Sequence, residues 1–296
     1  MFQWLKRAGA PTPTSPAHKP GAGVSEAGIA AAGSPYDLSG QAAVVTGSTS
    51  GIGLALARAL AMRGCRVVLN GLGDPAEIER TRASLESSCG VEVLYHPADM
   101  RKGDEVGDLV AFARHKFDRL DILVNNAGVQ HVEAIEKFPA EKWEQIIAIN
   151  LSSAFYATRA AVAIMKAQGR GRIVNVASAH GLVASPYKSA YVAAKHGVIG
   201  LTKTVALEVA QHNITCNAIC PGYVMTPIVE NQIADQARTH GISKDRVVEE
   251  IMLKPQPTKR FVTTDELAGL FLYLVSDLGA SANGTAFSID GGWTAQ

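Results

Sequence analysis

The sequence has few of the features that mark several large classes of protein. It contains four cysteines in 296 residues and no Cys-x-x-Cys pair, so no disulfide framework is indicated. We expect reduced cysteines and a cytoplasmic protein. The formal net charge is only +1, which does not favour a nucleic-acid partner. No apolar run approaches the length of a transmembrane helix, so no membrane partner is expected.

The two cysteines that lie closest in sequence could alternatively be ligands of a metal ion. Cys216 and Cys220 lie four residues apart, but the run around them is apolar and typical of a buried strand. No nearby pair of histidines or cysteines would complete a tetrahedral set. We therefore expect no metal site.

Residues 1–37 differ in composition from the rest of the chain. They are rich in Ala, Gly, Pro, Ser and Thr, and five prolines are spread through them: Pro11, Pro13, Pro16, Pro20 and Pro35. Such a segment cannot bury enough apolar surface to offset the entropy lost on ordering. We expect a disordered or weakly structured extension. Its basic first half leaves a transit peptide as the less favoured alternative, and a secretory signal is not expected because there is no apolar core region.

From residue 38 onward, apolar runs typical of buried strands alternate with stretches of helical spacing. The strands are expected at 41–46, 66–70, 91–96, 121–124, 172–177, 213–220 and 286–290. The helices are expected at 54–63, 74–88, 102–115, 141–166, 190–207 and 264–276. This alternation predicts one α/β domain over 38–296, a Rossmann-like doubly wound parallel sheet with helices on both faces. Residues 223–261, with helical patterns at 228–237 and 243–253, are expected to form a movable substrate cap.

A glycine-rich loop separates the first strand from the first helix. Gly47, Gly51 and Gly53 follow the spacing Gly-x-x-x-Gly-x-Gly, and glycines lack the Cβ atoms that would block phosphate groups. Strand, loop and helix in this order form the context in which a dinucleotide pyrophosphate binds to a helix N-terminus. Asp99 follows the third strand, at a position where a polar side chain could bind the adenine of a cofactor. The Asn-Asn-Ala-Gly run at 125–128 either holds backbone beside a cofactor or is a plain turn.

Ser178, Tyr191 and Lys195 are the main candidates for catalysis. Tyr191 and Lys195 are four apart on an expected helix and share one face, and Ser178 follows the fifth strand. Ionising a free tyrosine at pH 8 costs roughly 2.7 kcal/mol, whereas an ammonium about 4 Å away contributes on the order of 4 kcal/mol at an effective dielectric of 20. We expect Tyr191 to exchange a proton while Ser178 holds the substrate oxygen. The alternative is a surface tyrosine and lysine on an amphipathic helix. Asn150, inside the long helix, is either incidental or placed for its side chain.

Together these motifs resemble those of the short-chain dehydrogenase/reductase family over nearly all of residues 38–296. The resemblance implies seven parallel strands, a nicotinamide cofactor and usually a homotetramer. It implies a catalytic tetrad of Asn150, Ser178, Tyr191 and Lys195. It also implies these cofactor-binding residues: Gly47, Thr49, Gly51, Ile52, Gly53, Asp99, Asn126, Ala127, Gly128, Tyr191, Lys195, Pro221, Gly222, Val224 and Thr226.

Within that family, the stretches 126–131, 176–197, 221–227 and 290–295 closely resemble the bacterial 3-hydroxybutyrate dehydrogenases. The resemblance implies these substrate-binding residues: Gln130, Ser178, His180, Lys188, Tyr191, Gln232 and Trp293. Lys188, three residues before Tyr191, is expected on nearly the same helix face. A lysine and a histidine near the catalytic hydroxyl suit an anionic substrate. The long N-terminal extension departs from the pattern and leaves localisation open.

The implied reaction is the NAD-dependent oxidation of (R)-3-hydroxybutyrate to acetoacetate. The alternatives are another 3-hydroxy or 3-keto acid as substrate, or a non-catalytic nicotinamide sensor, against which the complete tetrad argues. NADP-preferring members usually carry a basic residue in the glycine loop or after the second strand. The corresponding positions are Thr49, Ser50, Asn70, Gly71 and Leu72. We therefore expect NAD, although Asn70 is not the aspartate found in many NAD-dependent members.

Overall fold

Seven short apolar segments pair as one parallel sheet in the computed structural model of the chain. The structure describes residues 34–226, 229–230, 233–234, 237–238 and 241–295. The strands are β1 Ala42–Val45, β2 Arg66–Asn70, β3 Val93–His96, β4 Ile122–Asn125, β5 Gly171–Val176, β6 Ile214–Pro221 and β7 Ala286–Ile289. They lie in the order β3-β2-β1-β4-β5-β6-β7. Helices cover both faces of the sheet, which is why its strands read as continuous apolar runs. The expected fold class is confirmed.

Eight α-helices are described over their whole length. They are α1 Gly51–Ala61, α2 Pro75–Cys89, α3 Gly103–Phe117, α4 Ala140–Ile147, α5 Ser153–Gln168, α6 Ser189–Val209, α7 Lys244–Val247 and α8 Thr264–Val275. Local sequence explains several of their starts. Before α2, the side chain of Asp74 accepts the backbone N–H of Glu77, and Pro75 occupies the first turn. Before α8, Thr263 and Glu266 form a reciprocal capping box.

Alternate residues of each strand point to opposite faces and build two hydrophobic layers. Val45 of β1 packs in one layer with Leu56 of α1 and Phe271 of α8. Its neighbour Val44 packs in the other layer with Leu109 of α3. All of these side chains are at most 1% exposed. Because both faces are filled, the place left for a ligand is the edge where the strands end.

The strand order reverses direction between β1 and β4, because β2 and β3 extend the sheet on one side of β1 and β4 to β7 extend it on the other. β1 pairs with β2 on one side and with β4 on the other. In open sheets of this kind, a crevice forms outside the carboxyl ends of the strands at such a switch point. Parallel pairing also brings the ends of β1, β4, β5 and β6 to the same edge. The fold thereby gathers Gly47, Asn126, Ser178 and Pro221 from distant parts of the sequence.

The helix expected at 141–166 is continuous but not uniform. It runs over Ala140–Gln168 as α4, a π-helical turn at Ala148–Ser152, and α5. By length and composition, this stretch of 29 residues is apolar enough to cross a membrane, which corrects the expectation that no run approaches that length. In the structure its apolar side packs in the core. Ala157 and Met165 of α5 are fully buried in the layer that contains α3.

The segment expected as a cap, residues 223–261, is described in part. Both helical patterns correspond to helical residues there: 229–230, 233–234 and 237–238 in the first, and α7 with a π-helical turn at Val248–Met252 in the second. Val229, Val247 and Met252 belong to a small apolar cluster within the cap. Gln232 and residues 1–33 lie outside the described residues, so the expectations for them stay predictions. Movement of the cap stays a prediction as well.

Candidate active site

The glycine loop after β1 is held in place by two amide side chains. Asn126 donates to the backbone oxygens of Thr46 (3.0 Å) and Gly47 (2.8 Å). Asn70 accepts the backbone N–H of Gly47 (3.2 Å). Gly47 has a φ of 60°, and a Cβ added to Gly53 would collide with the backbone oxygen of Gly47 and the amide of Asn126. Glycines therefore let the loop fold this tightly and leave the N-terminus of α1 accessible to phosphate groups.

A cavity of about 600 Å³ opens beside this loop. Its wall includes most of the residues expected to bind a cofactor: Gly47, Thr49, Gly51, Ile52, Asp99, Asn126, Ala127, Gly128, Tyr191, Lys195, Pro221, Gly222 and Thr226. Two expected residues are not in the wall. Gly53 lies under the loop, and Val224 is buried in the core, where it bridges Val262. In size and in its glycine-lined helix N-terminus, the cavity fits a dinucleotide.

Three of the expected catalytic residues share the wall of this cavity. Tyr191 lies in the first turn of α6 and Lys195 lies one turn later. Ser178 precedes a short 3₁₀ turn, Ala179–Gly181, that follows β5. The Nζ of Lys195 donates to the carbonyl oxygen of Val176, the last residue of β5 (2.8 Å). The end of β5 and the start of α6 thus bring a hydroxyl, a phenol and an amine together.

The electrostatics of this trio differ from the sequence-based expectation. The Nζ of Lys195 lies 5.6 Å from the ring centroid of Tyr191. Burial raises the pKa of Tyr191 to about 12, although a hydrogen bond from Ser178 opposes the rise. Burial also lowers the pKa of Lys195 to about 8. Both groups are pushed towards their neutral forms, so the expected lowering of the tyrosine pKa is wrong for this structure. What the site holds is a phenol that keeps its proton and an amine that titrates near pH 8.

Asn150 lies in the π-helical turn between α4 and α5. Its Oδ1 accepts the backbone N–H of Val129, and its Nδ2 donates to the backbone oxygen of the same residue, both at 2.9 Å. Such π-helical insertions are frequent at functional sites. Of the two alternatives for Asn150, the structure favours a position determined by the hydrogen bonds of its side chain. The side chain holds the backbone next to Gln130, whereas the cavity wall itself contains Ile149 and not Asn150.

The imidazole of His180 is buried beside the catalytic hydroxyls. Its Nε2 lies 2.8 Å from the Oγ of Ser185, and its Nδ1 lies 3.5 Å from the Oγ of Ser178. Its ring meets those of Tyr191 and Trp293 edge to face, with centroid distances of 5.9 and 4.9 Å. Burial is the main cause that lowers the pKa of His180 to about 3. The imidazole is therefore neutral at physiological pH and can donate only one hydrogen bond.

Lys188 precedes α6 instead of lying on it. It is the N-cap residue, with a non-helical φ of −125° and ψ of 33°, which corrects the expectation that it shares a helix face with Tyr191. Its Nζ donates to the hydroxyl of Tyr223 (3.1 Å). Burial lowers the pKa of Lys188 to about 8. None of the ion pairs found among the described residues involves this ammonium.

Tyr223 was missed by the sequence analysis. It begins the cap, and its ring stacks on that of Trp293 with a centroid distance of 5.5 Å and an interplanar angle of 17°. The available signal was its position directly after Gly222, a residue expected beside the cofactor. Gln130 lies in the cavity wall, and its Nε2 is buried with no partner in the described part of the chain. An unused buried donor is costly, so this amide is a candidate for ligand contact.

The polar side chains expected near the adenosine of a cofactor are already engaged. Asn70 donates to the backbone oxygens of His96 (3.1 Å) and Ala98 (3.0 Å) and so ties β2 to the segment after β3. Asp99 accepts from the Nε of Arg101 at 2.9 Å. The hydrogen bonds from Arg101 are the main cause that lowers the pKa of Asp99 to about 2. Arg101 also lies in the cavity wall, where the sequence analysis did not anticipate a cation.

Known proteins resemble the chain in both sequence and structure. A D-beta-hydroxybutyrate dehydrogenase of Rhizobium meliloti strain 1021 is 60% identical over 254 residues, which is 86% of this chain and 98% of that protein. The protein of the same description from Cupriavidus necator is 51% identical over 259 residues, 88% of this chain and 100% of its own. The crystal structure of L-sorbose reductase from Gluconobacter frateurii, complexed with NADPH and L-sorbose, has a TM-score of 0.84 and 32% identity and covers 88% of this chain and 99% of its own. Residues 41–237 match the short chain dehydrogenase family. The chain therefore belongs to that family.

Proposed function

We propose that this protein interconverts (R)-3-hydroxybutyrate and acetoacetate, with NAD as its cofactor. The observation that carries the proposal is the placement of Lys188, a largely buried ammonium that donates to the hydroxyl of Tyr223, acts on the pKa of the neighbouring His180 and has no carboxylate partner among the described residues. The two relatives described above are dehydrogenases of this substrate, at 60% and 51% identity. A short acid whose carboxylate reaches Lys188 while its hydroxyl reaches Tyr191 satisfies both groups.

The carboxylate would be held mainly by charge. A buried ammonium without a counter-ion is unfavourable, and an anionic ligand removes that penalty. The Nε2 of Gln130 supplies a second donor, since it is buried and unused. His180, neutral at working pH, can supply a third. Gln232 joins this set by family resemblance.

The carbon chain of the substrate would lie against aromatic rings. Trp293 stacks on Tyr223, and His180 meets Trp293 edge to face. Such a wall offers apolar contact area with little loss of side-chain entropy on binding. It suits a short aliphatic chain between two polar ends.

The chain's own residues would move the proton. The residues of the cavity wall would hold NAD, whose nicotinamide would supply the hydride chemistry. In the reduction direction the protonated phenol of Tyr191 would give its proton to the carbonyl oxygen of the substrate, and in the oxidation direction its phenolate would take the proton of the substrate hydroxyl. Ser178 would donate a hydrogen bond to the same oxygen. Lys195, close to the phenol, stabilises the negative charge as it forms and holds the ribose of the cofactor. Asn150 positions Val129 and, by family resemblance, holds a water for proton exchange.

Several side chains support NAD over NADP. The positions that would face a 2′-phosphate by family resemblance are Thr49, Ser50, Asn70, Gly71 and Leu72, and none is basic. Arg101 also lines the cavity, but its Nε and Nη2 donate to Asp99. A phosphate would have to compete with that carboxylate. Equal rates with NADP would show that Arg101 is released and would contradict the NAD assignment.

The family resemblance further supports a homotetramer, and the four free cysteines support a cytoplasmic location. A homotetramer would cover apolar side chains such as Trp143 on α4 and Phe155 on α5, which are 41% and 45% exposed. Light scattering of the full chain tests this assembly, and a monomeric mass would contradict it.

The central experiment compares an acid with a neutral alcohol of similar size. Wild-type rates should favour (R)-3-hydroxybutyrate over 2-butanol by roughly 10,000-fold in kcat/KM, because the alcohol leaves buried donors unpaired. Lys188→Ala should raise the KM for the acid steeply and reduce the ratio of kcat/KM for the acid to kcat/KM for 2-butanol. Lys203→Ala, which removes an exposed lysine of α6, is the matched control. If the wild type treats acid and alcohol alike, the proposed function fails.

A further inference from the structure

The contact between Lys188 and Tyr223 joins residues that are distant in sequence. The Nζ of Lys188 donates to the phenol oxygen at 3.1 Å and lies 5.4 Å from the centroid of the Tyr223 ring. An ammonium carries three donors and no acceptor, so the phenol oxygen must be the acceptor in this hydrogen bond. The proton of the Tyr223 hydroxyl is then left free to bind another acceptor.

The state of the phenol agrees with a donor role. Burial raises the pKa of Tyr223 to about 12, so the hydroxyl keeps its proton over the working range of pH. A phenol that accepts from an ammonium is polarised, and its own O–H becomes a better donor. The pair therefore presents one cationic and one neutral donor side by side, a combination that suits a carboxylate better than a neutral group.

The phenol is also held firmly. The backbone N–H of Tyr223 donates to the side chain of the fully buried Gln256, and its backbone oxygen accepts the N–H of Val262 (2.9 Å). The ring stacks on Trp293. Gln256 in turn donates to the backbone oxygen of Arg260 (2.8 Å). Because both backbone and ring are fixed before any ligand arrives, little entropy is lost when the hydroxyl binds one.

We infer that Tyr223 is a specificity-determining residue, whose hydroxyl donates a hydrogen bond to the substrate carboxylate while it accepts one from Lys188. This inference rests on the proposed function, because it assumes a substrate with a carboxylate. The inferred role belongs to the hydroxyl of Tyr223, which distinguishes it from a purely apolar contact between the ring and the substrate. Tyr223 also packs against the apolar cluster of the cap, so the bound carboxylate would contact the cap directly.

The test removes the hydroxyl and keeps the ring. Tyr223→Phe should raise the KM for (R)-3-hydroxybutyrate by roughly 10-fold or more, as expected for a lost hydrogen bond to a charged group. The kcat should stay within about two-fold, since the reacting oxygen is not touched. The Kd for NADH should not change. Tyr187→Phe removes the hydroxyl of an exposed tyrosine on the preceding loop and should change none of these values.

A second measurement separates a direct contact from general loosening of the pocket. Removing the phenol oxygen takes away an acceptor of Lys188, so the pH at which the KM for the acid begins to rise should move down in Tyr223→Phe. General loosening would raise the KM without moving that pH. In a double-mutant cycle with Lys188→Met, the two effects on KM should combine less than additively, because both donors serve one carboxylate. Additive effects would contradict the inference.

The outcomes also separate this inference from the proposed function. If the wild type prefers the acid over 2-butanol and Tyr223→Phe leaves the KM for the acid unchanged, only the role of Tyr223 fails. If the wild type shows no preference for the acid, the proposed function fails whatever the variant does. If Tyr223→Phe lowers the melting temperature by more than Tyr187→Phe does, and kcat falls by as large a factor as KM rises, the hydroxyl has a structural role and the inference is wrong.

Discussion

Asn150 and Val129 are joined by two hydrogen bonds between one side-chain amide and one residue's backbone, each 2.9 Å long. The donor and the acceptor of the amide are both used. The π-helical turn at Ala148–Ser152 aims this amide out of the long helix and towards the loop after β4. That loop carries Gln130, so the geometry of the substrate pocket depends on a residue inside a helix.

Replacing Asn150 should therefore affect both stability and substrate binding. Asn150→Ala leaves the N–H and C=O of Val129 without their partner, at a cost of roughly 1–3 kcal/mol in the free energy of unfolding for each group. Asn150→Asp keeps the acceptor and loses the donor, so it should fall between Ala and wild type. Thermal melts and the KM for the acid measure the two effects. Ser152→Ala, in the same turn, is the control, and an equal loss in that variant would contradict the specific role of Asn150.

Tyr191→Phe should nearly abolish turnover while cofactor binding survives. The ring remains, but the exchangeable proton is gone, and proton transfer of this kind contributes roughly 100- to 10,000-fold to the rate. Initial rates give the loss, and the change in NADH fluorescence on binding gives the Kd. A variant with normal rates would remove Tyr191 from the proposed mechanism.

The KM for the acid should rise above about pH 8. Burial lowers the pKa of Lys188 to about 8, so in the free enzyme the ammonium is lost above that pH and the carboxylate loses its cation. For one titrating group, the increase approaches about tenfold per pH unit. Lys188→Met should have a high KM that no longer follows this titration, and KM measured from pH 6.5 to 9.5 tests the difference. A wild-type KM that stays flat over this range would contradict the assignment.

The same titration of Lys188 should make the folded protein more stable as the pH rises, although it weakens substrate binding. Between about pH 8 and the ordinary lysine pKa, the unfolded chain binds more protons at this residue than the folded chain does, so its contribution to the free energy of unfolding rises with pH. Below about pH 8 the full penalty of the buried charge is present. Urea denaturation of wild type and Lys188→Met should show the variant gaining most at pH 7 and least at pH 10. If the difference in the free energy of unfolding between the two proteins is the same at every pH, the folded protein does not carry a buried, charged ammonium at Lys188.

Two glycines should respond in opposite ways to the same substitution. Gly53→Ala places a Cβ against the backbone oxygen of Gly47 and the amide of Asn126, which should cost roughly 1–3 kcal/mol and weaken NAD binding. Gly200 lies within α6, and a Cβ there has nothing within 4 Å. Gly200→Ala should therefore stabilise the protein by about 0.5–1 kcal/mol and leave NAD binding unchanged. Melting curves and NADH titrations of both variants provide the test.

Much of the fold could be predicted because its signals are local. The strands of a parallel sheet covered on both faces are short apolar runs, and such runs stand out between stretches of helical spacing. Caps such as Asp74 before α2 also act over a few residues. The positions of the glycine loop and of Tyr191 and Lys195 follow from the same kind of short-range pattern. The order of the strands does not, since β1 pairs with β4 across the sheet.

The remaining features depend on contacts between distant parts of the chain. Tyr223 lies 35 residues after Lys188, and only the folded sheet brings the start of the cap to the start of α6. The spacing of Lys188 and Tyr191 alone favoured a shared helix face, whereas the helix begins after Lys188. The pKa of Tyr191 was misjudged for a related reason. Its spacing from Lys195 was visible in the sequence, but the burial that raises the pKa is produced by the whole tertiary structure. The sequence by itself thus determined which chemical groups are present and on which elements they lie. Their mutual distances, their burial and their protonation were decided only by the packing of those elements.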